Sequence, residues 1–159
     1  MFVENLEETL NLGKNLSHKL NPQSIVLWQG PIGAGKTSFV QGIAKGLSIS
    51  EDITSPTFAL SHHYNSGKIP LIHLDLYRLE DVSSAKEVFF SEEEEAVRSQ
   101  SILVIEWPEL IEPVIENFWN IEISYAKNYG RNYGNKRPQK FINLLIIWLL
   151  LNGAFTKTS

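Results

Sequence analysis

The chain of 159 residues contains no cysteine, which excludes disulfide cross-links, thiolate metal sites and a cysteine nucleophile. Long hydrophobic runs are also missing, because the longest wholly apolar stretch, residues 144–151, is far below the roughly 18 residues of a membrane-spanning helix. The first twenty residues are amphipathic and contain three glutamates, unlike a signal peptide. These absences predict a soluble, cytoplasmic protein whose chemistry depends on oxygen, imidazole or amine groups.

Acidic residues are absent from the last part of the chain. Residues 126–159 carry 6 Lys and Arg, a net charge of +6, whereas residues 1–125 carry 8 basic against 18 acidic residues, a net charge of −10. Basic residues that are so few and so unevenly placed argue against a dedicated duplex-DNA-binding protein, whose affinity depends on many phosphate contacts. The chain length and the 43% apolar content predict one compact domain.

Hydrophobic periodicity predicts alternating helices and strands. Asn5 and Glu8 resemble the capping box of a first helix, which we expect to end at Asn21 and Pro22. Apolar strands are predicted at residues 25–28, 69–76, 102–105 and 121–125, and helices over residues 39–47 and 82–98. This order predicts an α/β fold in which a mostly parallel central sheet is flanked by helices.

Residues 30–37 read Gly-Pro-Ile-Gly-Ala-Gly-Lys-Thr and match the full phosphate-loop pattern, G-x-x-x-x-G-K-[ST]. The motif follows an apolar strand and opens a helix, as its mechanism requires. Its glycines let backbone N–H groups turn around the phosphates, Lys36 would reach the β- and γ-phosphates, and the Thr37 hydroxyl would bind Mg²⁺. We therefore predict a nucleotide site in a three-layer sandwich of the P-loop NTPase type.

Two acids, Asp75 and Glu106, each end an apolar strand. Either one alone would be an ordinary surface carboxylate about as often as a catalytic group. Beside a phosphate loop, we expect one of them to hold Mg²⁺ directly or through water and the other to orient the attacking water. The sequence leaves open which acid takes which role.

Three further features lie near these motifs. Residues 55–57 read Ser-Pro-Thr, which is typical of a turn and would also suit a switch-like segment whose hydroxyls sense the γ-phosphate or the metal. His73 shares a strand face with Asp75, and a structural histidine is favoured there over a catalytic base. Trp107 would line the site or pack in the core, and the core is favoured.

Together these motifs resemble the TsaE (YjeE) family of small bacterial ATPases, which is required for threonylcarbamoyladenosine (t6A) modification of tRNA. The matching stretches, in the family's order, are residues 8–10, 33–37, 55–58, 73–79 and 105–109. The resemblance implies a Mg²⁺-dependent domain that binds ATP or ADP, hydrolyses ATP slowly, and associates with the TsaB and TsaD proteins. It implies contact with tRNA only through those partners, and no association with a membrane.

The resemblance also implies roles for particular residues. By position, Asp75, Glu106 and Lys36 become catalytic groups, and Thr37 and Glu106 become magnesium ligands. The nucleotide contacts that it implies are Thr9, near the adenine, Arg131, and the phosphate-loop residues Gly33, Ala34, Gly35, Lys36, Thr37 and Ser38.

The C-terminal part departs from the family pattern. Residues 127–138 contain Asn-Tyr-Gly twice amid basic residues, which favours a flexible loop over a contact with single-stranded RNA. Residues 141–151 are almost uniformly apolar and leave a buried strand, a helix or a diverged terminus open. We predict a P-loop ATPase domain over residues 1–137 and an atypical apolar segment over residues 138–159 that packs on the same domain.

Two other functions fit a phosphate loop. A stand-alone small-molecule kinase would need a lid of arginines to enclose the transferred group, but Arg78 and Arg98 are the only arginines before residue 131. A nucleotide-gated binding module would use ATP only to set its affinity for a partner. The presence of both Asp75 and Glu106 favours hydrolysis over the binding module.

Overall fold

A central β-sheet organises the chain in a computed structural model, which describes residues 2–3, 5–125 and 140–145. The strands in these residues are β1 (Phe2–Val3), β2 (Ile25–Gln29), β3 (Ser61–Tyr64), β4 (Leu71–Asp75), β5 (Ile102–Glu106), β6 (Trp119–Tyr125) and β7 (Lys140–Leu145). The helices are α1 (Leu6–Ser17), α2 (Lys36–Gly46), α3 (Val82–Ser99) and two short 3₁₀ helices, Pro108–Leu110 and Glu112–Val114.

The sheet has the strand order β1-β7-β6-β2-β5-β4-β3. Its four central strands, β6, β2, β5 and β4, run parallel, and the pairings at both edges are antiparallel. This arrangement confirms the predicted α/β fold with a mostly parallel central sheet. The edge strand β3 was not predicted because its four residues, Ser-His-His-Tyr, have no run of apolar side chains.

Helices cover both faces of the sheet and make three layers. Alternate residues of β2 point to opposite faces: Val26 and Trp28 belong to the core on the side of α1 and α2, and Leu27 belongs to the core on the side of α3. On the first side the Trp28 ring stacks on Phe39 of α2, with centroids 4.4 Å apart. On the second side Phe89 of α3 is buried against the sheet. The three-layer prediction is therefore confirmed.

Helix α1 begins as the sequence predicts and ends earlier. The Glu8 N–H donates to the Asn5 side chain at 2.9 Å, and the Asn5 amide donates back to the Glu8 carboxylate at 3.2 Å. The helix ends at Ser17 rather than at residue 21, and the chain leaves it through turns in which Lys19 N–H donates to Leu16 O. Leu20 is nevertheless buried. Its burial in a turn, rather than in the helix, explains why the apolar pattern overran the helix end.

Helices α1 and α2 touch through their backbones. A Cβ atom added at Gly42 of α2 would lie 2.2 Å from the Leu10 carbonyl oxygen, and one added at Gly13 of α1 would lie 2.2 Å from the Phe39 carbonyl oxygen. Such distances leave no room for any side chain at these two positions. Because α2 begins at the phosphate loop, this contact with α1 holds the start of α2 in place.

The C-terminal predictions are tested only in part. Residues 140–145 form β7, which pairs antiparallel with β6, so a strand is the correct choice for that portion of the apolar segment. Arg131, the Asn-Tyr-Gly repeats and residues 146–159 lie outside the described residues, and the domain boundary at residue 137 stays a prediction. No helix within the described ranges is long and apolar enough to cross a bilayer.

Candidate functional site

The phosphate loop connects β2 to α2 and depends on glycine at two points. Gly30 approaches β6 so closely that a Cβ atom there would lie 2.1 Å from the Ile123 side chain. Gly35 has φ of 98° and is the N-cap residue of α2, a left-handed conformation that glycine adopts without steric cost. Together these glycines allow the chain to leave the buried strand and start α2 within a few residues.

A cavity of about 390 Å³ opens where the phosphate loop faces the ends of β4 and β5. From the loop and the first turn of α2 it is lined by Ile32, Gly33, Gly35, Lys36, Thr37 and Ser38. From the other side it is lined by Ser55, Thr57, Asp75, Tyr77, Glu106 and Trp107. Since α2 points its N-terminus at this cavity, the partial positive charge of the helix favours an anion there.

The Lys36 side chain lies along its own loop. Its ammonium donates hydrogen bonds to the carbonyl oxygens of Gly30, at 2.8 Å, and Pro31, at 3.0 Å, and lies 4.2 Å from the centroid of the Trp107 ring. Burial lowers the pKa of Lys36, and the negative charges of Glu106, Asp75 and Glu109 act in the opposite direction. An ammonium has three N–H donors, so the two carbonyl contacts leave one for a phosphate oxygen.

Asp75 uses both of its carboxylate oxygens within the protein. Oδ1 accepts the Tyr77 backbone N–H at 2.9 Å, and Oδ2 accepts the Thr57 hydroxyl at 2.5 Å. The Ser55 hydroxyl in turn lies 2.7 Å from the Thr57 hydroxyl. The predicted switch-like segment, residues 55–57, is therefore attached to the end of β4 through Asp75.

Glu106 has a different environment. Its Oε1 lies 2.9 Å from Nε2 of His73, and both side chains are almost fully buried. Parallel pairing of β4 with β5 places Asp75 opposite Glu106 and His73 opposite Val104, on the face of the sheet that α2 covers. Within the described residues, no hydrogen bond engages Oε2 of Glu106.

Trp107 follows β5 in a left-handed conformation with φ of 58°. This conformation is uncommon for a residue with a side chain. It places the indole ring against the Lys36 ammonium and 4.9 Å from the Tyr77 ring, measured between centroids. Trp107 therefore lines the cavity, and the core position favoured by the sequence analysis is wrong.

A family model described as "Threonylcarbamoyl adenosine biosynthesis protein TsaE" matches residues 3–133 of this chain. That match covers well over half of the sequence. The chain belongs to the TsaE family.

Curated relatives and a solved structure agree with this assignment. A tRNA threonylcarbamoyladenosine biosynthesis protein TsaE of Nostoc sp. (strain PCC 7120) is 43% identical over 133 residues, which are 82% of this chain and 81% of the relative. The protein of the same description from Synechocystis sp. (strain PCC 6803) is 42% identical over 112 residues, 68% of this chain and 69% of the relative. The crystal structure of Bacillus subtilis YdiB superposes with a TM-score of 0.65 at 28% identity, over 91% of this chain and 84% of that one. Membership places the chain in t6A biosynthesis and agrees with a P-loop fold.

Most of the site residues that the TsaE resemblance implies meet at the cavity. Those that line it are Gly33, Gly35, Lys36, Thr37, Ser38, Asp75 and Glu106. Ala34 is buried within the loop and donates its N–H to Pro31 O at 3.2 Å. Thr9 is buried on α1, where its hydroxyl donates to Asn5 O at 3.1 Å, and it is not part of the cavity wall. The nucleotide contact of Thr9 stays a prediction, and Arg131 lies outside the described residues.

Sequence reasoning missed two features of this TsaE site. Tyr77 and Ile32 line the cavity although neither was singled out, and each was visible only as a neighbour of a motif residue. The contact between His73 and Glu106 was missed as well. The two-residue spacing of His73 and Asp75 indicated that both lie on one face of β4. The proximity of His73 to Glu106 follows only from the parallel register of β4 against β5, which neither strand shows by itself.

The residues present fit a magnesium ion. Mg²⁺ prefers oxygen ligands and is usually held by one or two protein groups together with substrate phosphates. The cavity offers the Thr37 hydroxyl at the start of α2 and the Glu106 carboxylate at the end of β5. Both are oxygen donors, and the pair would supply protein ligands while the phosphates of a nucleotide supply others.

Proposed function

We propose that this chain binds ATP and Mg²⁺ in the phosphate-loop cavity and hydrolyses ATP slowly, in support of the tRNA modification for which its family is named. One observation carries the proposal: the phosphate loop and two acids from neighbouring strand ends line a single cavity. Hydrolysis needs groups that hold the phosphates and groups that handle the metal and the water. Lys36 suits the first task, and Thr37 and Glu106 suit the second, with Asp75 beside them in the cavity wall.

The hydrogen bonds support a division of labour between the two acids. Asp75 already accepts from Thr57 and Tyr77 on its two oxygens, so we assign it the task of holding residues 55–57 at the cavity. Glu106 contacts His73 through one oxygen and has a second one for the metal. We therefore propose Thr37 and Glu106 as the magnesium ligands. The ion would neutralise charge that builds on the phosphate oxygens during hydrolysis.

The residues that line this cavity do not favour a kinase, which would need a lid of arginines. In the described part of the chain, no arginine lines the wall, and Arg78 packs instead over the Phe58 ring, with 5.1 Å between its guanidinium carbon and the ring centroid. A kinase must enclose its phosphoryl group to prevent transfer to water. An open cavity beside two carboxylates favours hydrolysis.

We propose that turnover depends on TsaB- and TsaD-type partners, which in turn contact the tRNA. Large apolar side chains are exposed at the cavity. Ile32 and Tyr77, which line it, are 67% and 50% accessible, and Phe58, which follows the lining residue Thr57, is 89% accessible. Clustered exposed apolar groups are typical of surfaces that bind other proteins. A partner seated there would lie directly against the nucleotide site and would be well placed to alter its rate.

Phosphate release from Mg²⁺-ATP, measured with and without purified TsaB and TsaD proteins, tests this function. We expect slow release by the chain alone and faster release with both partners. A Lys36→Ala variant should lose nucleotide binding. A Glu106→Ala variant should keep the nucleotide binding that needs no metal, lose the affinity that Mg²⁺ adds, and lose about 100-fold or more in kcat, since it lacks a proposed metal ligand.

The matched control is Glu116→Ala, because Glu116 is an exposed acid that is not part of the cavity wall and is not among the charges that act on the pKa of Lys36. It should hydrolyse ATP like the unmodified chain. Full turnover by Glu106→Ala would remove the proposed metal ligand. Tight nucleotide binding without any phosphate release, with or without partners, would instead identify a nucleotide-gated binding module.

A further inference from the structure

His73 contacts the carboxylate of Glu106 but does not line the cavity. Within the described residues, no other titratable side chain does this. The ring is fully buried on β4, and Glu106 is 3% exposed. Nε2 of the ring and Oε1 of the carboxylate are 2.9 Å apart. Breaking this hydrogen bond costs free energy, because the fully buried ring of His73 cannot turn to bulk water.

The other ring nitrogen settles which group donates. Nδ1 of His73 is buried and has no hydrogen-bond partner among the described residues. A proton on Nδ1 would bury an N–H donor without an acceptor, which is more costly than an unpaired lone pair. A ring with its proton on Nε2 donates to the Glu106 carboxylate and leaves only the lone pair of Nδ1 unpaired.

The sheet keeps this donor in place. His73 pairs with Val104 across β4 and β5, and Asp75 pairs with Glu106 two residues further on. His73 itself also pairs with His62 of β3, so its backbone is held from both sides. A side chain on a doubly paired strand in a buried layer keeps one orientation, which suits the task of orienting a neighbour.

We propose that His73 is a positioning residue for Glu106. The ring donates from Nε2 to Oε1, fixes the carboxylate against rotation and leaves Oε2 as the oxygen that holds the cation. This inference rests on the proposed function of Glu106 as a magnesium ligand. Groups that orient a metal ligand typically contribute 10- to 100-fold to metal affinity or activity when they are removed.

Three substitutions separate positioning from packing. His73→Phe keeps a planar aromatic ring, one atom larger than imidazole, and removes the donor. His73→Gln places an amide nitrogen the same number of bonds from Cα as Nε2, whereas His73→Asn places it one bond nearer, where it cannot reach Glu106. If the donor is what matters, Gln should recover most of the loss seen with Phe and Asn should not.

The first measurement is the affinity for ADP with Mg²⁺ and, separately, with EDTA. We expect His73→Phe to bind ADP like the unmodified chain in EDTA and to lose about 10- to 100-fold of the affinity that Mg²⁺ adds. In hydrolysis the same variant should lower kcat with little change in KM at saturating Mg²⁺. Equal Mg²⁺-dependent affinities for His73→Phe and the unmodified chain would overturn the proposal, and so would equal losses with Gln and Phe.

The second measurement needs no activity. Long-range ¹H–¹⁵N spectra of the unmodified protein report the tautomer of each histidine, and His73→Gln identifies the His73 signal by its loss. We expect the Nε2–H tautomer. A proton on Nδ1 alone, or on both nitrogens, would overturn the proposal even if ATP is hydrolysed. Conversely, an unmodified chain that shows the Nε2–H tautomer and releases no phosphate would contradict the proposed hydrolysis and leave the positioning of Glu106 supported.

Discussion

The bond between Thr57 and Asp75 offers a direct test of how the site is assembled. Asp75 is 2% exposed, and its Oδ2 accepts the Thr57 hydroxyl at 2.5 Å. A Thr57→Val substitution keeps the branched shape and removes the donor. The carboxylate then loses a hydrogen bond to a charged group, which is worth about 1.5–3 kcal/mol.

That range translates into measurable quantities. A loss of about 1.5–3 kcal/mol lowers the folding equilibrium constant by roughly 10- to 160-fold, since each 1.4 kcal/mol is tenfold. For a domain of this size it corresponds to a fall in Tm of about 3–12 °C. Urea denaturation followed by tryptophan fluorescence measures the free energy of unfolding, because Trp28 is fully buried and stacks on Phe39.

Two controls make the result interpretable. Thr57→Ser restores the hydroxyl and should recover most of the stability. Ser55→Ala removes an exposed hydroxyl that contacts the Thr57 hydroxyl and should cost well under 1 kcal/mol. If Thr57→Val unfolds within about 0.5 kcal/mol of the unmodified protein, the bond does not hold residues 55–57 on β4, and the assignment of Asp75 as their anchor is refuted.

Two further predictions concern the scaffold. Gly42→Ala places Cβ 2.2 Å from the Leu10 carbonyl oxygen and should lower the free energy of unfolding by about 2 kcal/mol, because a clash of up to about 3 kcal/mol outweighs a helix-propensity gain of about 1 kcal/mol. Lys45→Ala, at an exposed position on the same helix, is its control in urea denaturation, and equal stability of the two variants would contradict the close helix contact. Burial raises the pKa of Glu93, so the folded state disfavours its charge and stability falls as pH rises through the ordinary glutamate range. Glu93→Gln should therefore be more stable than the unmodified chain at about pH 7 and equally stable at about pH 3, as measured by thermal unfolding. Glu94→Gln is the control. A gain in stability that persists at low pH, or that Glu94→Gln also shows, would contradict this explanation.

The phosphate loop was predictable because its chemistry is local. Eight consecutive residues place the glycines, Lys36 and Thr37 at the spacing that the loop needs, and short-range sterics determine the rest. The same holds for the start of α1, where Asn5 and Glu8 satisfy each other across one helical turn. In both cases the residues that interact are close in sequence.

Features that depend on pairing were harder to predict. The end of α1 was placed four residues too late, because Leu20 continues the apolar pattern of the helix but is buried in the turn that follows it. Strand β3 was missed, because its partner β4 supplies the hydrogen bonds that make it a strand. Trp107 was assigned to the core, because an indole ring gives no sign of the left-handed backbone that turns it toward Lys36.

The sequence by itself determined that two acids each end an apolar strand in a chain with a phosphate loop, and the meeting of the carboxyl ends of parallel strands at one edge of a sheet predicted that they share a site. Tertiary structure alone decided how the two acids differ. The register of β4 against β5 and the position of residues 55–57 gave Asp75 two donors and gave Glu106 the ring of His73. Those contacts join residues 18 and 33 positions apart, and they exist only once the sheet has formed.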